Sequence, residues 1–313
     1  MPPIIALSTC WNSCRHQDGY AMLQEISSLG FQYVELSHGI RVSLVPGILK
    51  AVDEGIIKVS SLHNFCPLPP GVTGAAPNLY RPSSWNKTER ALWRRYTQGT
   101  FDLANRVGAQ FVVMHLGSIQ FIWSNPVKKL KALAGDKSFS ELKEDVPFQI
   151  FFKKVYSKVQ KKALKVLISI QSELVSLLEL PQNQNIIVAV ENRDGLLELP
   201  LDNQLAQFVA DFPLPGRVGC WHDTGHARTK ESWGLLEHQP FLEAQKDHLI
   251  GFHLKDWSSE EDDNMPLGRG LIDFQMLRKY FKPNATFVVE VGPSVSPKAI
   301  LESKTYLERL LLQ

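Results

Sequence analysis

The chain has 313 residues, 44% hydrophobic and 21% charged, which supplies a large core and excludes a disordered or fibrous protein. Lys and Arg number 34 against 32 Asp and Glu, a formal charge of +2, so no basic excess marks nucleic acid or an anionic membrane as a partner. Four cysteines (Cys10, Cys14, Cys66, Cys220) are too few for a disulfide scaffold, no apolar run reaches about 18 residues, and the opening MPPIIALSTC lacks a basic n-region; the expectation is a cytoplasmic protein without a membrane span.

In chain order, β-branched apolar runs alternate with segments of helical period. IIALSTC (4–10) is followed by a helical segment over 18–29 that stops at Gly30, and QYVELSH (32–38) and VSSLHNF (59–65) come next. A helix over 88–107 stops at Gly108 and leads into FVVMHLG (111–117). An amphipathic stretch over 148–180 precedes IIVAVEN (186–192), and RVGCWHD (217–223), LIGFHLKD (249–256) and TFVVEVG (286–292) complete the set. Eight strands with eight helices in this length predict a single-domain (β/α)8 TIM barrel spanning 1–313. The alternative of a doubly wound sheet is disfavoured because no G-x-G-x-x-G follows a strand, and with it goes any nucleotide cofactor. Two connections are long. Insertions at 66–84, after strand three, and 119–149, after strand four, are expected as loops over the active face.

In such a barrel the functional groups stand at the carboxyl ends of the strands. Those ends carry Glu35 with His38, His63, His115, Glu191, Asp223 with His226, His253, and Glu290, while His222 adds a sixth histidine of the chain's nine near this face. His16, His238 and His248 are left as surface candidates. Three carboxylates and an imidazole, Glu191, Asp223, His253 and Glu290, suit one divalent ion (Zn, Mn, Fe, Co or Mg), because carboxylates buried side by side without a cation repel strongly. His63, His115 and His226 are placed to ligate further ions or to bind substrate. Lys255, Arg193 and Arg269 are candidates for substrate hydroxyl, carboxylate or phosphate groups, or for ion pairs with Asp256 or Asp194. Trp11, Trp221 and Trp257 stand where a ring could pack on a sugar or in the core.

The segments SLHNF, VVMHLGS, VAVENRDG, HDTGHA, GFHLKD, PLGRGLIDF and FVVEVGP, in this order, resemble the xylose isomerase-like TIM-barrel superfamily, which holds sugar isomerases and epimerases and the AP endonucleases. The resemblance implies that Glu191, Asp223, His253 and Glu290 are the shared metal positions and that Glu191 and Glu290 are the catalytic pair. It implies that His226 touches substrate in the isomerases or binds another metal in the endonucleases. For the nuclease branch it also implies His63, His115 and Asp262 as ligands. That branch places D-x-H before L-G-x-G, whereas this chain has Asp262, Asp263 and Asn264 before LGRG. The missing imidazole and the near-neutral charge argue against DNA as substrate.

Three functions follow. The first is a metal-dependent sugar, polyol or keto-acid isomerase or epimerase. The ion would polarise a carbonyl, one carboxylate would remove the neighbouring proton to give a metal-bound enediolate, and the other would return it. Its partner is a small sugar-like substrate, which Glu35 and the basic and aromatic candidates above would bind. The second is a zinc-dependent AP endonuclease-like phosphodiesterase, and the third a non-catalytic metal- or ligand-binding accessory barrel.

Overall fold

A computed structural model describes residues 3–121, 126–135, 137, 139–258 and 262–312, with the side chains of 139, 140, 143 and 262–264 outside the description. Eight parallel strands close into a barrel: β1 (Ile4–Ser8), β2 (Tyr33–Leu36), β3 (Lys58–His63), β4 (Phe111–Met114), β5 (Ile187–Glu191), β6 (Val218–Asp223), β7 (Leu249–Leu254) and, as the eighth, β10 (Thr286–Val289), which pairs with both β7 and β1. A hairpin of β8 (Asp256–Ser258) and β9 (Asp262–Met265) lies between the last two. All eight expected strands are present, one to three residues shorter than several of the runs, because the final residues of those runs leave the ladder and turn into the barrel mouth.

The helices are α1 (Gly19–Ser28), α2 (Val45–Asp53), α3 (Lys87–Val107), α4 (Pro126–Ala134), α5 (Phe139–Glu144), α6 (Val146–Leu178), α7 (Asp202–Ala210), α8 (Thr224–Ser232), α9 (His238–Gln245), α10 (Phe274–Arg278) and α11 (Pro297–Leu312). Local chemistry sets their ends. The Asp18 carboxylate accepts from the Tyr20 and Ala21 amides to start α1, and Gly108 stops α3 in the left-handed region at φ 72°. The long α6 buries Phe148, Val155, Val159, Ala163, Leu167, Ile170, Leu174 and Leu177, a stripe at helical spacing that packs on the barrel shell.

Two expectations need correction. The eight-helix count becomes eleven among the described residues, and the 119–149 insertion, expected as a loop, holds α4, α5 and the start of α6. The apolar positions of that insertion, Leu130, Ala134, Leu142 and Phe148, are buried in the main core, and burial rewards helix there. Insertion 66–84 contains no regular element.

Inside the barrel, Ala6, Val113, Ala189, Trp221 and Val288 form a small apolar plug, while the larger core lies between strands and helices. Gly251 is required by the plug: a Cβ there would stand 2.0 Å from the Trp221 ring. Strand side chains alternate faces, so residues two beyond the plug, Ser8, His115, Glu191, Asp223 and Glu290, enter the same interior one layer higher. The apolar floor thus lies directly below a polar layer at the carboxyl ends.

Candidate metal and active site

Glu191, Asp223, His253 and Glu290, from β5, β6, β7 and the end of β10, each offer one donor atom such that all four lie within 4.8 Å of one another. A divalent ion with donors at about 2.0–2.2 Å needs them no more than about 4.4 Å apart, so a contraction of a few tenths of an ångström completes the set. All four residues are at most 8% exposed.

His253 is the hub. Its Nδ1 is 2.7 Å from Glu191 Oε1, 3.6 Å from Glu290 Oε2 and 3.9 Å from Asp223 Oδ2. Its Nε2 lies 3.0 and 3.1 Å from the two oxygens of Glu35. Lys255 reaches in from the same strand, with Nζ 2.8 Å from Glu290 Oε2 and 2.9 Å from Asp223 Oδ2. Burial acts against ionising Glu191 and Glu290. Hydrogen bonds from His115 and His253 nevertheless hold Glu191 well below the usual carboxylate range, and the charges of His253 and Lys255 do the same for Glu290. Burial raises Asp223 well above its ordinary range despite Lys255, and the charges of Glu191 and Glu290 add to the rise. Asp223 Oδ2 is moreover buried without an aligned hydrogen bond among the described residues. Three buried carboxylates converging with an imidazole on one point are what a divalent cation would satisfy, so the donor set fits a metal.

The flanking candidates divide. His115 Nε2 is 2.7 Å and His63 Nε2 3.6 Å from Glu191 Oε2, and the three residues form a second donor group. The Arg193 guanidinium lies 3.1 Å from Glu191 Oε2, 3.3 Å from Glu198 and 3.5 Å from Asp194. His226 Nδ1 sits 3.0 Å from the Asn192 carbonyl and 3.1 Å from the Arg193 guanidinium. Burial, with Arg193 beside it, pushes His226 well below its usual range.

Several residues stand elsewhere than expected. Glu35 is fully buried beneath the site, accepting from Ser8 Oγ at 3.1 Å and Ser61 Oγ at 2.8 Å, and it faces His253. Arg269 pairs at the surface with Glu302 of α11. Trp11 donates its indole N–H to the Val295 carbonyl and carries Arg15 over its ring at 4.2 Å, Arg228 lies over Trp257 at 5.1 Å, and both indoles are buried. Trp221 is in the plug below His253. His222 faces away from the barrel, because its neighbours Trp221 and Asp223 face in. His238, expected at the surface, is 4% exposed and meets His222, Nε2 to Nε2, at 2.9 Å. Asp262 lies in β9, its side chain outside the described residues.

Sequence reasoning missed Cys10 and Asn78. Cys10 Sγ is 3.7 Å from Glu290 Oε1 and 3.9 Å from His38 Nε2, and its place at the end of the first apolar run was the available signal. Asn78 Oδ1, from insertion 66–84, is 3.0 Å from His115 Nδ1, a contact without a sequence signal. Thr73, Gly74 and Ala75 of the same insertion line a cavity of 330 Å³ together with Cys10, His38, Lys255 and Glu290.

A closed parallel barrel with this ring of ligands is a defined class of architecture, and a family profile of xylose isomerase-like TIM barrels matches residues 23–309; the chain belongs to that family. Among solved structures it is similar to a D-tagatose 3-epimerase-like protein (TM-score 0.68, 18% identity, covering 100% of this chain and 97% of that one). It is also similar to 3-keto-D-glucoside 4-epimerase from E. coli (0.65, 13%, 98% and 99%) and to D-psicose 3-epimerase from Clostridium cellulolyticum H10 (0.65, 10%, 99% and 99%). No curated protein matches the chain. No described helix is long and apolar enough to cross a membrane.

Proposed function

We propose that the protein is a divalent-metal-dependent epimerase or isomerase of a small polyhydroxylated carbonyl compound. One observation carries this reading: two carboxylates, Glu191 and Glu290, approach a common point from strands separated by β6 and β7, together with Asp223 and His253. Glu191, Asp223, His253 and Glu290 would hold the ion, which when bound makes the hydrogen next to a substrate carbonyl acidic. A carboxylate oxygen takes that proton, the C–H electron pair passes into an enediolate, and a carboxylate on the other side returns a proton to the same or the neighbouring carbon. Lys255 pairs with Glu290 and Arg193 with Glu191, and Arg193 in turn contacts His226. The sugar epimerases among the similar structures support this substrate class.

Phosphodiester hydrolysis finds less support, since Arg193 puts a positive charge against His226, where a further ion would have to bind. The test is to load the metal-free protein with Mn²⁺ or Co²⁺ in D₂O and screen keto-sugars and inososes for deuterium uptake at carbon by mass spectrometry. Metal-dependent uptake by at least one compound is expected. No uptake across the panel by protein shown to hold the ion overturns the reading.

A further inference from the structure

We propose that Cys10, His38 and Glu290 form a second divalent-cation site at the barrel mouth, of the borderline-soft class that thiolate and imidazole select, with zinc as its occupant. It goes beyond the epimerase reading, which uses neither Cys10 nor His38.

The sheet order brings the three together. Cys10 lies in the short helical turn Thr9–Trp11 that follows β1, His38 just after β2 and Glu290 just after β10, and β1 is hydrogen-bonded to both β2 and β10. The donors are spaced for an ion: Sγ to Nε2 3.9 Å, Sγ to Oε1 3.7 Å, and all three within 4.8 Å of one another. With Zn–S at about 2.3 Å and Zn–N or Zn–O at about 2.0–2.1 Å, tetrahedral ligands stand roughly 3.6 Å apart, so the two sulfur distances close by a few tenths of an ångström and side-chain rotation brings His38 and Glu290 together.

The carboxylate divides its two oxygens between two sites. Glu290 Oε2 faces Lys255 and His253 in the central set, while Oε1 faces Cys10, so one bridging carboxylate serves both positions. The frame behind the new donors is built: the Ser37 amide donates to Thr9 Oγ1 at 2.8 Å and Thr9 Oγ1 donates to Ser37 Oγ at 3.0 Å, tying the neighbour of Cys10 to the neighbour of His38. The cavity of 330 Å³ opens beside the cluster. Three protein donors with a free coordination position are the arrangement of zinc sites that exchange a ligand, here a substrate oxygen or water. Binding converts the Cys10 thiol to thiolate and releases its proton to solvent, so no other reactant is needed.

The competing arrangement is a thiol that does no more than donate a weak hydrogen bond to Glu290. Cobalt(II) distinguishes the two. The full-length protein, stripped of metal and titrated with Co²⁺, should bind two ions per chain by elemental analysis and show a thiolate-to-cobalt charge-transfer band. Cys10→Ser should lose the band and one ion, His38→Ala should weaken the second ion at least tenfold, and Cys14→Ser should leave both intact. Asp223→Asn should lose the central ion and keep the band, so failure of the central site and failure of this one are read separately. Wild-type protein without a charge-transfer band, or a band that survives in Cys10→Ser, overturns the proposal.

Discussion

His253 and His238 are both buried, at 0% and 4% exposure, one inside the barrel and the other against its outer face, yet they favour opposite charge states. For His253 burial opposes protonation, but Glu290, Glu35 and Glu191 outweigh it and raise the imidazole well above its ordinary range. For His238 burial prevails and lowers it to about 4, even with Glu231 pulling upward. Desolvation by itself neutralises a histidine; only a surplus of carboxylate keeps one charged inside a protein. The barrel interior is therefore an environment selected for cations, and the outer shell next to the same strand is ordinary packing.

The largest test of that contrast lies with the two central glutamates, which are not equivalent. Glu191 receives His253, His115 and Arg193, whereas Glu290 receives Lys255 at 2.8 Å and a thiol at 3.7 Å and borders the cavity. Glu191 reads as the anchor of the central ion and Glu290, held by fewer partners, as the proton carrier whenever its Oε1 is not held by an ion at the Cys10 position. Glu290→Gln should lower deuterium exchange on substrate by roughly 10²–10⁴-fold while retaining the central ion. Glu191→Gln should lose the ion itself, measured by elemental analysis after dialysis. A reversal, with metal lost from Glu290→Gln and kept by Glu191→Gln, would show that the anchor and the proton carrier have been exchanged.

Next in size is Lys255, whose ammonium lies between Asp223 and Glu290. Lys255→Met removes the ammonium between Asp223 and Glu290 and leaves His253 as the remaining cation near both, which should destabilise metal-free protein by about 3 kcal/mol in denaturant unfolding. Saturating divalent metal should recover most of that loss. An equal loss with and without metal would mean that Lys255 matters for packing and not for charge.

Outside the barrel, the depressed His238 predicts a pH dependence of opposite origin. Its folded value of about 4 lies below the unfolded value near 6.5, so the unfolded chain binds more protons between those limits. The contribution is present above about pH 6.5 and is lost as pH falls toward 4, on the order of 2–3 kcal/mol at the acid end. Removing this titration with His238→Phe should make the slope of stability against pH shallower over this window, leaving the part due to His222, which burial also lowers. An unchanged slope would assign the acid loss to other groups.

Much of this was legible before any coordinates. β-Branched runs marked all eight strands, and the carboxyl ends of those runs picked out Glu191, Asp223, His253 and Glu290 together. The period of two, applied to WHD at 221–223, sends His222 outward as soon as Asp223 is taken to face inward. His238 was legible too, since His238, Phe241, Leu242 and Gln245 are a buried i, i+3, i+4, i+7 stripe. What no periodicity carries is the direction of side chains beyond a strand end. His38 and Cys10 meet because two loops are stapled by Thr9 and Ser37, and Asn78 reaches His115 from an insertion with no regular element. The arginines over Trp11 and Trp257 are likewise tertiary contacts.

The smallest expected effect concerns Glu35, the one carboxylate of the interior that lies below the ligand layer. With Ser8 and Ser61 donating to it, its oxygens are fixed and face His253 Nε2. When an ion takes the place of the Nδ1 proton, that contact would keep the remaining proton on Nε2, turn the Nδ1 lone pair toward the central point and raise the imidazole's basicity. Glu35→Gln keeps the shape but presents an amide that matches both serine hydroxyls and the imidazole less well, so metal affinity should fall roughly 10–100-fold with the fold intact. The change should appear in the metal dissociation constant and not in the deuterium-exchange rate of the saturated protein. If exchange falls at saturating metal while affinity holds, Glu35 acts on substrate after all, and the inner carboxylates form one functional layer instead of two.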